Sequence, residues 1–145
     1  MPTTIAQLMS TAFCTVERTA TVAQAARTMI DDDSGDAVVL DDGDVIGILT
    51  DRSIVRALAA DASPDHPVGD LCTEDLVVLS PQDPAREAVR IMERHALLRL
   101  PVMVGPDLVG IVRLSDLVTA VERGQVTVGA RDTVDARDTG GLQDA

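Results

Sequence analysis

Two cysteines and two histidines are the residues from which a nucleophile or a metal centre would be built, and their spacing builds neither. Cys14 and Cys72 stand 58 residues apart, outside any CxxC or Cys/His grouping, and read as small apolar residues in a reducing compartment. His66 lies in a proline-rich stretch and His95 at the end of a helical pattern, neither at motif spacing from a Cys or Ser. The Gly-x-Ser-x-Gly, HExxH, Gly-x-Gly-x-x-Gly and Walker patterns are missing, so hydrolytic, metallopeptidase and nucleotide-cradle chemistries have no anchor. The acids Asp31, Asp32, Asp33, Asp36, Asp41, Asp42 and Asp44 invite a calcium reading. They lack the alternating ligands, central glycine and terminal glutamate of such a loop, and read as a solvated surface. The expectation is a protein that is not an enzyme and holds no metal.

Composition narrows the partners. The 145 residues carry a net charge of −12, and all twelve basic residues are arginine. An acidic surface repels phosphate backbones and anionic lipid, so neither nucleic acid nor membrane is an expected partner. Phe13 is the one aromatic residue, which removes aromatic cages and base-stacking platforms. The chain opens without a signal-peptide pattern, and no apolar run approaches the ~20 residues that span a bilayer. The expected setting is cytoplasmic. Met9, Met29, Met92 and Met103 fall at apolar positions and read as core filler.

The elements that would position any site come from an internal repeat. A shift of 63 residues lays 5–60 onto 68–123 without a gap, matching Leu8/Leu71, Ala25/Ala88, Met29/Met92, Gly47/Gly110 and Ile48/Ile111 among others. Each copy opens with a short helical turn (Ile5–Met9, Val68–Cys72) and a small strand (Cys14–Val16, Val77–Leu79). A helix follows with apolar residues at i, i+3, i+4 and i+7 (Val22, Ala25, Ala26, Met29; Ala85, Ala88, Val89, Met92). Thr21 with Gln24 forms a capping-box pattern, and Asp83 before Pro84 suits a cap and first helical position. Two near-continuous apolar strands come next, Ala37–Leu40 with Val45–Thr50 and Leu100–Val104 with Leu108–Val112, each joined by a glycine-bearing turn. A closing helix ends each copy, over about 51–60 and 115–123.

The fold class expected is therefore α/β (α+β), with two β-α-β-β-α repeats packed about a pseudo-twofold axis so that each covers the other's apolar surface. The boundaries are repeat one over 4–60, a linker over 61–67, repeat two over 68–123, and a flexible or docked tail over 124–145.

Gly47-Ile48-Leu49-Thr50-Asp51-Arg52-Ser53-Ile54 and Gly110-Ile111-Val112-Arg113-Leu114-Ser115-Asp116-Leu117 resemble the signature of the cystathionine-β-synthase-type (CBS) domain. So do Ala25/Met29, Ala88/Met92 and Leu100-Pro101-Val102. The chain resembles a stand-alone bacterial CBS pair, or Bateman module. The resemblance implies a regulatory module that binds an adenosine-containing ligand (AMP, ADP, ATP or S-adenosylmethionine) between repeats and modulates a protein partner in trans, commonly as a homodimer. No cofactor is implied. It further implies that a Thr or Ser hydroxyl at the strand-to-helix junction meets phosphate, while the Asp three residues on holds the ribose hydroxyls.

Each copy departs from that pattern. The first has Thr50 but Ser53 where the Asp belongs; the second has Asp116 but Arg113 where the hydroxyl belongs, with Ser115 beside it. Arg113 can bind a phosphate bidentately or pair with a neighbouring acid. Thr50 and Asp116 can equally be helix caps. A ligand-free interaction or stress-associated protein is the alternative.

Overall fold

The computed structural model describes residues 2–72 and 76–127. It is a mixed α/β structure whose described residues fall in two compact units, one within 12–76, the other of 2–11 together with 77–127.

The 12–76 unit holds β1 (Thr15–Glu17), α2 (Val22–Asp31), β2 (Asp36–Asp41), β3 (Asp44–Thr50) and α3 (Asp51–Ala59), and a 3-10 turn at Val68–Asp70. β1 runs parallel to β2 and β2 antiparallel to β3. The β2–β3 turn places Asp42 and Gly43 at φ 52° and 89°, the two positive angles of a type I′ hairpin, which Asp-Gly supplies. Thr21 and Gln24 form the expected capping box on α2: the Thr21 N–H donates to Gln24 Oε1 at 2.9 Å and the Gln24 N–H to Thr21 Oγ1 at 3.1 Å. Ala37, Val39 and Leu49 pack with Val22, Ala25 and Met29 of α2 and Ile54 of α3. Residues 61–67, expected to be a linker, lie along the start of α2, where the Val22 and Ala23 amides donate to the His66 and Pro64 carbonyls.

The other unit holds α1 (Ile5–Leu8), α4 (Ala85–His95), β4 (Arg99–Val104), β5 (Asp107–Arg113) and α5 (Leu114–Glu122). Leu100, Val102 and Val112 pack on Ala88 and Met92 of α4, Leu117 of α5 and Ile5 of α1. The N-terminal segment is bonded here throughout: Ile5 and Ala6 amides donate to the Asp83 and Pro81 carbonyls at 2.9 and 3.0 Å, and Ser10 exchanges two bonds with Ile111. The tail begins docked, with Val126 buried against Ala85 and Ala120; its expected continuation over 128–145 lies outside the described residues.

Both hairpins shift register at equivalent points, Val39/Leu40 and Val102/Met103, so the repeat extends to its irregularities. Two expectations are corrected. The strand at Val77–Leu79 reduces to one parallel bridge, Leu79 to Val102. In the first copy the Val38 N–H donates to the Cys14 carbonyl; the equivalent of Val38 is Pro101, which has no N–H to give, and the ladder stops there. The start of α4 also differs. Pro84 is itself the cap residue, with φ −68° and ψ 144°, while the Asp83 carboxylate turns back to accept the Ser80 N–H at 2.9 Å.

Candidate functional site

The two strand-to-helix corners are built alike and finished differently. In each, the last residue of a hairpin strand becomes the cap of the closing helix, and the first helical amide donates to the chain just before the preceding strand. Asp51 N–H reaches the Gly35 carbonyl at 3.0 Å, and Leu114 N–H the Leu98 carbonyl at 2.9 Å.

At the β3–α3 corner Thr50 and Ser53 serve each other. Thr50 Oγ1 accepts the Ser53 N–H at 3.1 Å, the two hydroxyls lie 2.9 Å apart, and Asp51 Oδ1 accepts the Arg52 N–H at 2.7 Å. The first turn of α3 is thus closed by its own side chains, with a carboxylate at its positive end. Asp36, across the ladder from Thr50, is 2% exposed; Ser34 Oγ lies 3.3 Å from its Oδ1 and donates to its carbonyl at 2.8 Å.

At the β5–α5 corner Asp116 Oδ2 accepts the Arg113 N–H at 2.8 Å. A guanidinium has no acceptor atom, so Arg113 cannot return the bond as Thr50 does. Arg113 and Asp116 are half-buried and Ser115 is exposed. Arg113 faces Arg99 directly across the β4–β5 ladder. Of the five residues named from sequence, Thr50 and Ser53 are brought together at one corner, Arg113, Ser115 and Asp116 at the other. Arg99 was missed, and Asp36, expected on a solvated acidic surface, is instead buried where β2 begins; the visible signal was a charged residue opening an otherwise apolar strand, at equivalent repeat positions.

The remaining chemistry-bearing residues are placed structurally. Cys14 is buried, donates to the Asp36 carbonyl at 3.1 Å, and burial pushes its thiol pKa up, which disfavours the reactive thiolate. His66 Nε2 lies 3.4 Å from Asp70 Oδ2. Among the described residues no group of His, Cys, Asp and Glu is arranged to hold a metal ion, and no helix is long and apolar enough to cross a membrane.

A second feature lies between α4 and α5. An open groove of ≈ 430 Å³ is lined by Leu97, Leu98, Leu114, Val118 and Val121, with Glu93 and Glu122 also at its walls. Leu98 is 55% and Val118 48% exposed.

The family model for the CBS domain matches residues 5–60 and 68–123. The CBS domain-containing protein YhcV of Bacillus subtilis is 34% identical over 75% of this chain and 79% of its own. Hypoxic response protein 1 of Mycobacterium tuberculosis is 32% identical over 79% of this chain and 82% of its own. A solved structure of Hypoxic Response Protein I with two coordinated zinc ions is similar at TM-score 0.70 and 32% identity, over 81% of this chain and 98% of that one. The CBS domain pair of protein MJ0100, in complex with 5′-methylthioadenosine and S-adenosylmethionine, has the same fold at TM-score 0.77 and 20% identity, over 86% of this chain and 99% of that one. Some relatives are longer: the match spans 41% of MJ1225 of Methanocaldococcus jannaschii and 30% of a 33.4 kDa protein of Thermofilum pendens. With two matches in tandem over residues 5–60 and 68–123, the chain belongs to the CBS-domain family.

Proposed function

We propose that the chain is a regulatory module that binds an adenosine-containing small molecule at the β5–α5 corner and passes that binding to a protein partner. The observation that carries this reading is the half-buried Asp116 carboxylate beside a helix start whose cap residue, Arg113, has no side-chain acceptor. One carboxylate oxygen holds the Arg113 N–H and leaves the other for vicinal ribose hydroxyls, a charge-assisted pair of bonds. The complex of the MJ0100 domain pair with two adenosyl compounds supports the ligand class.

A thermal-shift panel of AMP, ADP, ATP, NAD and S-adenosylmethionine tests it. At least one compound should raise the melting temperature with concentration, by an amount equivalent to about 2.7 kcal/mol at a hundred times its Kd. Asp116→Ala should remove that rise. A rise that survives the substitution places the ligand elsewhere.

The reciprocal closure of Thr50 and Ser53 favours a second reading, in which the corners are structural and the module acts only as an interaction protein. A flat response to the whole panel would select it.

The reading includes a homodimer through the α4–α5 groove. Contiguous exposed apolar surface on a soluble domain marks an interaction site, and Leu98, Leu114, Val118 and Val121 supply it. Light scattering on the wild-type chain should give twice the monomer mass, and Val118→Asp should give the monomer. A wild-type monomer at micromolar concentration would refute the dimer.

A further inference from the structure

We propose that the β5–α5 corner selects a di- or triphosphate, and that the β3–α3 corner takes none, so that the chain distinguishes phosphorylated nucleotides from uncharged or cationic adenosyl compounds through one corner only. This rests on the reading of the β5–α5 corner as a ligand site and narrows it.

Arg99 and Arg113 are direct cross-strand partners, so their side chains leave the same face of the hairpin. The adjoining pair, Leu100 and Val112, points the other way, into the core against α4 and α5. Like charges directly opposite one another are destabilising. An anion bridging them reverses the sign, because each guanidinium offers a planar fork that matches phosphate oxygens. Both arginines also bond elsewhere within the chain, and five donors each leave capacity for a ligand. The first turn of α5 adds the Ser115 hydroxyl and amides for which the cap residue, Arg113, has no side-chain acceptor, at the positive end of a nine-residue helix.

The equivalent strand positions in the other unit carry no arginine. Asp36 stands for Arg99 and Thr50 for Arg113, the first-turn amides of α3 are taken by Thr50 and Asp51, and the Asp51 carboxylate occupies the anion's place. Arg52 lies in that turn but is exposed, beside Asp51. A phosphate there meets the Asp51 carboxylate, with no arginine pair on the strands.

Ligand discrimination follows from the chemistry of the ribose. The first phosphate of a nucleotide and the sulfonium of S-adenosylmethionine hang from the same ribose carbon. With the ribose on Asp116, whichever group is present sits beside Arg113, three residues away. A sulfonium is repelled by two guanidinium groups, and adenosine brings them no opposite charge. The net charge of −12 on the chain opposes a polyphosphate in general, so its binding depends on this pair.

Calorimetric titration of the full chain with adenosine, S-adenosylmethionine, ADP, ATP, GTP and inorganic triphosphate tests the proposal, on wild type, Arg99→Gln, Arg113→Gln and Arg113→Lys. ADP and ATP should bind at least tenfold more tightly than adenosine or S-adenosylmethionine. Each Gln variant, shown folded by circular dichroism, should weaken ATP on the order of 10- to 100-fold, with Arg113→Lys between. S-adenosylmethionine binding as tightly as ATP, or ATP affinity unmoved in both Gln variants, overturns the phosphate selection and leaves the adenosine reading standing. GTP or inorganic triphosphate binding through Arg113 while no adenosine compound binds upholds the phosphate site and removes the adenosine reading. Silence from every probe overturns both.

Discussion

Ile5→Ala should destabilise the protein by about 2–5 kcal/mol, a large part of the 5–15 kcal/mol that holds a typical domain. Ile5 is fully buried, although it lies four residues from the start of the chain. Its side chain sits with Leu79, Ala88, Leu100 and Leu117, all from the second sequence repeat. The backbone around it is held by four bonds: Ile5 and Ala6 amides to Asp83 and Pro81, the Ala85 amide to Thr3, and the Met9 amide back to Ile5. Little freedom remains for the site to collapse around the missing atoms, which places the cost toward the upper end of the range for such truncations. At roughly 3 °C per kcal/mol for a chain of this length, the melting temperature should fall by about 6–15 °C. Chemical denaturation followed by far-ultraviolet circular dichroism measures the change without an aromatic reporter. A loss below about 1 kcal/mol would mean that the N-terminal turn is not part of the core.

The role of Ile5 shows where the sequence stops speaking. The 63-residue offset pairs Ile5 with Val68, and both are fully buried. A tandem repeat reads the same whether each turn belongs with the strands that follow it or with those of the other copy. Hydrophobic periodicity carries no record of the partner, so only the fold reveals that Ile5 joins Leu79 and Leu100 while Val68 joins Val16, Val22 and Leu49. The hairpins were legible for the opposite reason: Asp42-Gly43 and Gly105-Pro106 dictate their turns locally. In the second, Gly105 has φ 57° and Pro106 fixes the next angle, the sign pattern of a type II′ turn.

The candidate site was legible in its members and not in its geometry. Thr50, Ser53, Arg113 and Asp116 could be named because a strand ends and a helix begins there. That Thr50 and Ser53 close on each other at 2.9 Å depends on hydroxyl rotamers that spacing does not encode. That Arg99 stands opposite Arg113 depends on the hairpin register and on the shift at Val102/Met103. Counting pairs back from a two-residue turn without that shift would set Val112 against Arg99 and put the two arginines on opposite faces.

Gly110→Val should be the other severe substitution, at about 3 kcal/mol or more. Gly110 heads the second copy of the motif that carries the family resemblance, yet its need for glycine has nothing to do with a ligand. A β-carbon built on it would lie 2.7 Å from Met9 Sδ, 3.0 Å from Met9 Cγ and 3.0 Å from the Ser10 carbonyl oxygen. The methionine tail can swing aside; the carbonyl cannot, because Ser10 is fixed to Ile111 by N–H to O bonds of 2.8 and 3.0 Å in the two directions. Gly110→Ala meets a tight contact that costs about 1–3 kcal/mol by overpacking, offset by the roughly 0.5–1 kcal/mol that alanine gains over glycine in a strand. Its net effect should be a modest loss. Valine adds two methyl groups in the same space and has no comparable offset, so the N-terminal segment must lift from β5 or the strand must bend. Limited proteolysis separates these outcomes from a general loss of stability: cleavage within residues 2–11 should accelerate in Gly110→Val before the 12–76 unit is cut. A Gly110→Val protein as stable and as resistant as wild type would show that the segment does not lie on this strand, and the expected effect of Ile5→Ala would fall with it.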